Sequence, residues 1–219
     1  QCYALTSIPL LDTHLGTNFS NMFKSCQSLI TIPLLNTVIG TDFSQMFASC
    51  YALTSIPLLD THLGTNFSNM FCGCYSLKTI PLLDTSNGIN FSNMFGTWSS
   101  GSGIITIPQL DTSKGTSFSM MFGYCFSLVS IPALNMSLAT NFGYMFFSVT
   151  TLKQFKATGV SKSIDFSGCN LSKSALVEIF TNIATVTGQT ITITGNPGAS
   201  LLTTQDREIA TNKGWTITG

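Results

Sequence analysis

The chain has 219 residues, only 8% of them charged, and its formal net charge is zero at neutral pH. No basic stripe runs along it, so nucleic acid is not an expected partner. Hydrophobic residues make up 44%, yet no run approaches the ~18–20 apolar residues a spanning helix needs, so membrane insertion is not expected.

Gln1-Cys2 lies inside a repeat, without an initiator methionine. A longer parent protein is therefore expected, with further repeats or another subunit against the N-terminal end, because an uncovered coil offers an unpaired edge. Phe19, Phe43, Phe67, Phe91, Phe118, Phe142 and Phe166 stand 24 residues apart except at one step of 27. A fixed period of this kind indicates a solenoid. A Cys–x–x–Leu–x–x–Ile–Pro phrase recurs in the same phase, as does a Met-Phe pair from Met22-Phe23 to Met145-Phe146, and residues 2–23 and 50–71 are identical.

Each coil of the array, expected over residues 1–157, reads the same way. Leu5–x–x–Ile8–x–Leu10 predicts a short strand, Asp12-Thr13 and Gly16 a turn, and Asn18 to Phe23 one helical turn on the outer face. Leu5, Ile8, Leu10, Phe19, Met22 and Phe23 are the predicted core residues of that coil, and Pro9 and its counterparts fit a strand end. The cysteine phase, held by Gly101 and Val149 in other coils, suits a ladder of small buried free thiols, although coils about 5 Å apart would also permit disulfides.

Residues 158–219 depart from this phrase and predict a C-terminal cap. A helix is expected from Ser172, a plausible N-cap, to Val186, a strand over Thr190–Thr194, a turn at Gly195–Gly198, a helix over Thr204–Lys213 and a strand from Trp215. The fold class read from these elements is α/β: a leucine-rich-repeat solenoid with a short parallel strand per coil and a helix-containing C-terminal cap.

The phrase Met-Phe–x–x–Cys–x–x–Leu–x–x–Ile-Pro–x–Leu-Asp-Thr closely resembles the BspA-like leucine-rich repeats of bacterial surface proteins, and is similar to arrays in bacteriophage tail fibres. The resemblance covers residues 1 to about 157. The stretch Gly195-Asn196-Pro197-Gly198 to Gly214-Trp215-Thr216 more weakly resembles the ends of such arrays in phage structural proteins. Gly16, Gly40, Gly64, Gly88 and Gly115 depart from the family, which often has an apolar residue there, and suggest a tighter turn. The resemblance implies a recognition module in an extracellular, cell-surface or virion setting, with no catalytic residues to carry over.

Catalysis needs a converging nucleophile, base and orienting group. His14 and His62 are the only histidines and fall two coils apart, so no enzyme, metal or cofactor is expected. Asp12, Asp60, Asp84 and Asp111 share a register with Asn36 and Asn135, which fits an Asx turn better than a calcium site. A Ser/Thr column at Ser7, Thr31, Ser55, Thr79, Thr106 and Ser130 reads either as cross-strand hydrogen bonding or as an ice-binding face.

Recognition is best sought where the repeats differ. Tyr51, Tyr75 and Phe126 follow the cysteine position and could stack on sugars. Leu15, Val38, Ile39, Leu63 and Leu138 form an apolar strip at the turns. Trp98 lies in the insertion that breaks the period, near Tyr124, Tyr144 and Phe147 in phase; loops that interrupt a scaffold often bind, and packing over an imperfect coil is the competing reading. The expected function is a non-enzymatic recognition module for a host-surface protein or glycan. The alternative is a structural shaft or head-to-tail filament segment.

Overall fold

A computed structural model describes residues 2–97 and 101–219. Through the repeats, each coil lays its outer segment on the next by backbone hydrogen bonds. Phe19, Asn21, Phe23 and Ser25 donate their N–H groups to the carbonyls of Asp42, Ser44, Met46 and Ala48 at 2.7–3.0 Å, and Phe43, Gln45, Phe47 and Ser49 repeat this one coil on. The intervening amides of Met22, Lys24 and Cys26 bond locally to Phe19, Asn21 and Phe23. Parallel bridges join Asn18, Asp42, Asn66, Asn90, Ser117 and Asn141 in succession.

The predicted helical turn is therefore replaced by consecutive β-turns. In an α-helix every amide bonds back within its own segment, whereas here alternate amides leave for the neighbouring coil. The chain must reverse at every second residue, and it does so through left-handed backbone at Asn21, Gln45, Asn69 and Asn93, with φ of 55–60°. The inward set at 19, 22 and 23 survives the change in the inner coils, but Met22, predicted to be core in the first coil, is 36% exposed and lines that coil's open flank. Phe43, Met46 and Phe47 are fully buried, as are their counterparts Phe67, Met70 and Phe71.

Two phenylalanine columns form the core. Phe19, Phe43, Phe67, Phe91, Phe118 and Phe142 stack in order with centroids 5.5–6.0 Å apart. Phe23, Phe47, Phe71, Phe95, Phe122 and Phe146 form a second column at 5.7–6.0 Å. The 27-residue step leaves the first column intact, since Phe91 and Phe118 stack at 5.5 Å. Phe166, which continues the period of Phe142 in sequence, instead stacks on Phe146 at 4.8 Å. The register of the core thus shifts where the repeats end.

The repeat glycines serve the turn and the columns together. Gly64 donates to Thr61 O to close the turn, and a Cβ on it would sit 2.9 Å from that Thr61 O and 2.6 Å from Cζ of Phe67. At Gly16 and Gly40 the ring would stand 2.8 Å away.

On the opposite side of the coil the inward pattern is Leu–x–x–Ile–x–x–Leu. Leu35, Leu59, Leu83, Leu110 and Leu134 are buried, whereas Leu10, predicted to be core, is 77% exposed, and Leu34, Leu58 and Leu82 also face outward. Inward residues three apart require an irregular strand. At β1 (Ser130–Asn135), paired in parallel with β2 (Gln154–Thr158), the register shifts between Ile131 and Leu134, at Pro132, which has no N–H to give the ladder. Among the described residues this pair is the one place where the repeat phrase forms a regular strand. In earlier coils the same segment is extended and tied by single bonds such as Ile30 N–H to Thr6 O (3.2 Å) and Thr54 N–H to Ile30 O (3.0 Å).

Beyond the repeats, β3 (Ile164–Asp165), β4 (Gln189–Thr192) and β5 (Trp215–Thr218) form a parallel sheet in that order. Helix α1 (Lys173–Asn182) starts at Ser172, whose Oγ accepts from Ala175 N–H at 3.2 Å. It stops four residues short of Val186 because Ile183 is extended and Ala184 N–H turns to Val160 O. Lys213 Nζ donates to the carbonyls of Phe180, Thr181 and Ile183, closing that end. Helix α2 (Thr204–Thr211) carries a capping box between Thr203 and Asp206. Lys173 beside Asp206 and the capping bonds hold its carboxyl at about 2. No helix of the described residues is long and apolar enough to cross a membrane.

Candidate ligand-binding site

Most polar repeat positions are consumed by structure. The carboxamides and carboxylates of Asp12, Asn36, Asp60, Asp84, Asp111 and Asn135 each accept the N–H two residues on at 2.9–3.3 Å, the expected Asx turn. His14 Nδ1 lies 2.5 Å from Asp12 and His62 Nδ1 2.6 Å from Asp60. That hydrogen bond lowers the carboxyl pKa in each pair. Thr37, Thr61, Thr85 and Thr112 form a buried column in which each hydroxyl donates to a carbonyl of the next coil at 2.7–2.8 Å. The sequence reading had assigned those threonines to the turn alone.

The cysteine column is built as free thiols. Cys50 Sγ donates to Phe23 O at 3.0 Å and Cys74 Sγ to Phe47 O at 3.2 Å. Burial pushes the thiols of Cys50, Cys125 and Cys169 up to about 12. Only the thiolate is nucleophilic. Titration of the native protein with Ellman's reagent is therefore expected to modify exposed Cys2 promptly and the six buried cysteines only after denaturant is added; prompt reaction of more than one thiol would contradict the packing.

Of the aromatic residues singled out in the sequence, four converge. Tyr124 meets Phe126 edge-on at 5.9 Å and Phe147 at 5.2 Å, and Phe147 meets Tyr144 at 5.8 Å. Phe126, Phe147 and Tyr144 are exposed, Tyr144 by 70%. Tyr51 and Tyr75 stack on each other at 4.8 Å as a separate, half-buried pair. Trp98 lies outside the described residues. The turn strip of Leu15, Val38, Ile39, Leu63 and Leu138 is exposed, as expected.

The two tyrosines occupy unusual backbone. Tyr124 has φ 60° and Tyr144 φ 56°; left-handed backbone recurs through both columns, at Ser25, Ser49 and Ser148 in the first and at Asn21, Gln45, Asn69, Asn93 and Met120 in the second. The ladder sets that conformation, and most coils fill it with Asn or Ser, which tolerate it better than a bulky side chain.

Tyr144 also stands at the seam where the repeat ladder ends. In the preceding coil Phe118, Met120, Phe122 and Tyr124 donate to the carbonyls of Asn141, Gly143, Met145 and Phe147. Among the described residues, the matching amides of Phe142, Tyr144, Phe146 and Ser148 have no protein acceptor, because the following coil has shifted register. A groove of about 280 Å³ opens there between Tyr144 and Phe147 on one side and Asp165 and Ser167 on the other. A smaller depression of about 160 Å³ shares Tyr144 and Asp165 and adds Ser163, Thr190 and Thr192. Asp165 Oδ1 accepts from Ser167 N–H at 2.7 Å, and its side chain is exposed. Asp165 and the three hydroxyl residues escaped the sequence reading. Asp165 follows Asn141 by one 24-residue step, so its Asx role could have been read, but the groove beside it could not.

Larger depressions of about 480 and 620 Å³ run along the first coil, around Asp12, His14 and Leu15. The first lies on the flank that a preceding coil covers elsewhere in the array, the second spans the first two coils, and no exposed aromatic cluster marks either. A family model described as Mycoplasma protein of unknown function, DUF285, matches residues 4–105 and, overlapping, 41–159. No curated protein and no solved structure matches the chain.

Proposed function

The chain belongs to the family described as Mycoplasma protein of unknown function, DUF285, and from that premise we propose that it is a non-enzymatic recognition module displayed outside the cell or on a virion fibre, binding a host-surface protein or glycan. BspA-like surface proteins carry repeats of this kind, and the leucine-rich solenoid is the scaffold we assign to it. The observation that carries the reading is the exposed Phe126–Tyr124–Phe147–Tyr144 patch. A packing role would bury these rings, whereas Phe126, Phe147 and Tyr144 stand outward. Over the half-buried Leu5, Ile8 and Leu11 of the first coil we place a further repeat or another subunit.

The test is direct binding of the full chain to immobilised cell-surface proteins and glycans. The expected result is a ligand whose binding is lost in a Tyr124→Ser, Phe147→Ser double variant that still folds. Absence of any ligand, or binding untouched by that variant, would remove the proposal. A structural shaft is the second reading, favoured by the exposed ridge of Leu10, Leu34, Leu58 and Leu82, since contiguous apolar surface commonly marks association. Sedimentation would support it by showing concentration-dependent polymers that Leu34→Ser, Leu58→Ser dissociates.

A further inference from the structure

We propose that the seam groove binds a neutral carbohydrate, with the Tyr144 ring as its stacking platform and Asp165 as acceptor for its hydroxyls; this rests on the recognition reading and names its ligand class. Tyr144 is the most exposed ring of the patch, and it lines both depressions together with Asp165. An aromatic face set beside directional polar groups is what a pyranose requires, since its C–H face is apolar and its rim is hydroxyl.

The polar groups match that rim. A sugar hydroxyl donates and accepts at once. Asp165 can only accept, and one of its oxygens already takes Ser167 N–H. Thr190 and Thr192 supply hydroxyls that do both, whereas Ser163 Oγ already donates to Gln189 Oε1 and accepts from Thr190 N–H. The two open depressions that share Tyr144 and Asp165 measure about 280 and 160 Å³, each below the range of roughly 300–1,000 Å³ for small-ligand sites, a size for one terminal sugar ring and not for a longer chain.

The lining also selects against two other ligands. Its one charged side chain is Asp165, so a sialylated or sulfated glycan would meet a like charge with no cation to offset it. A peptide strand inserted along the open amides would need a slot of two strand spacings, about 9–10 Å. The rings of Phe146 and Phe166 stack at 4.8 Å across the same seam, which leaves the two coils one step apart.

The experiment is binding of the full chain to an array of neutral hexose- and N-acetylhexosamine-terminated, sialylated and sulfated glycans, run beside a panel of immobilised cell-surface proteins. Neutral glycans are expected to bind. Tyr144→Asn should weaken them about tenfold or more, Tyr144→Phe should retain binding, and Asp165→Asn should weaken it about tenfold. Tyr144→Asn should melt no lower than the parent chain, because asparagine suits the left-handed backbone, so lost binding cannot be ascribed to lost folding. Binding only to anionic glycans overturns the proposal, as does neutral binding indifferent to Tyr144→Asn and Asp165→Asn. Binding only to proteins overturns the carbohydrate class and leaves the recognition reading standing. No binding at all removes both.

Discussion

Replacing Phe67 by alanine is expected to destabilise the protein by about 3–5 kcal/mol, the range for truncating a buried aromatic side chain. The Phe67 ring is fully buried and stacks on Phe43 at 5.8 Å and on Phe91 at 5.7 Å, nearly parallel to both. The cavity cannot collapse readily, because the coils on either side are held at their spacing by Phe43 N–H to Asn66 O and Phe67 N–H to Asn90 O, both 2.9 Å. A coil depends on its neighbours for stability. The loss should therefore also divide the unfolding transition, with the segment before the cavity melting first. Urea denaturation followed by circular dichroism measures both effects. Leu58→Ala on the exposed ridge is the control and should change stability by no more than about 0.5 kcal/mol. A Phe67→Ala midpoint indistinguishable from that of Leu58→Ala would mean the column does not hold the array together.

Asn196→Ala is expected to cost about 3 kcal/mol or more, by a different route. Asn196 is buried; its Oδ1 accepts from Leu171 N–H at 3.0 Å, and its Nδ2 donates to Phe166 O at 2.8 Å and Ile193 O at 3.0 Å. Alanine would orphan the Leu171 amide, at about 1–3 kcal/mol, and take one hydrogen bond, at about 0.5–1.5 kcal/mol each, from the Phe166 and Ile193 carbonyls, which keep the N–H groups of Cys169 and Asn196. The side chain ties the coil ending at Leu171 to the one ending at Ile193, so the damage should stay in the C-terminal coils. Hydrogen exchange provides the local readout: the Leu171 amide should lose protection while that of Phe67 keeps it. Unchanged exchange at Leu171 would show that the carboxamide is dispensable. Asn196→Asp should not rescue, because it keeps the acceptor and loses both donations.

How much of this was readable beforehand depends on the range of each interaction. The Asx turns at Asp12 and Asp84 and the N-cap at Ser172 were foreseen because each joins atoms two or three residues apart. The alternating turns at Asn18–Phe23 were misread as a helix because inward residues at 19, 22 and 23 fit both structures. The difference lies in where the amides of Asn21 and Phe23 go, to a coil 23 residues ahead. Leu10 was taken as core where Leu11 holds that phase, since two adjacent leucines give no preference until the proline-associated irregularity selects one. The aromatic patch is partly visible in the sequence, as Tyr124, Tyr144 and Phe147 break the pattern of their columns, while Phe126 continues the aromatic column of Tyr51 and Tyr75. Asp165 was missed because it looks like one more Asx residue.

The amino-acid order by itself determined the period, the inward phase of the phenylalanines and the turn chemistry of each coil, because a repeated phrase makes every coil solve the same packing problem. The tertiary structure decided what happens when the repetition stops. Phe166 moves onto Phe146, the amides from Phe142 to Ser148 lose the carbonyls that served their counterparts, and the groove beside Tyr144 opens. Ladder bonds join residues a full coil apart, so whether a donor is filled depends on the coil that follows it, and no local pattern within Phe142–Ser148 records that.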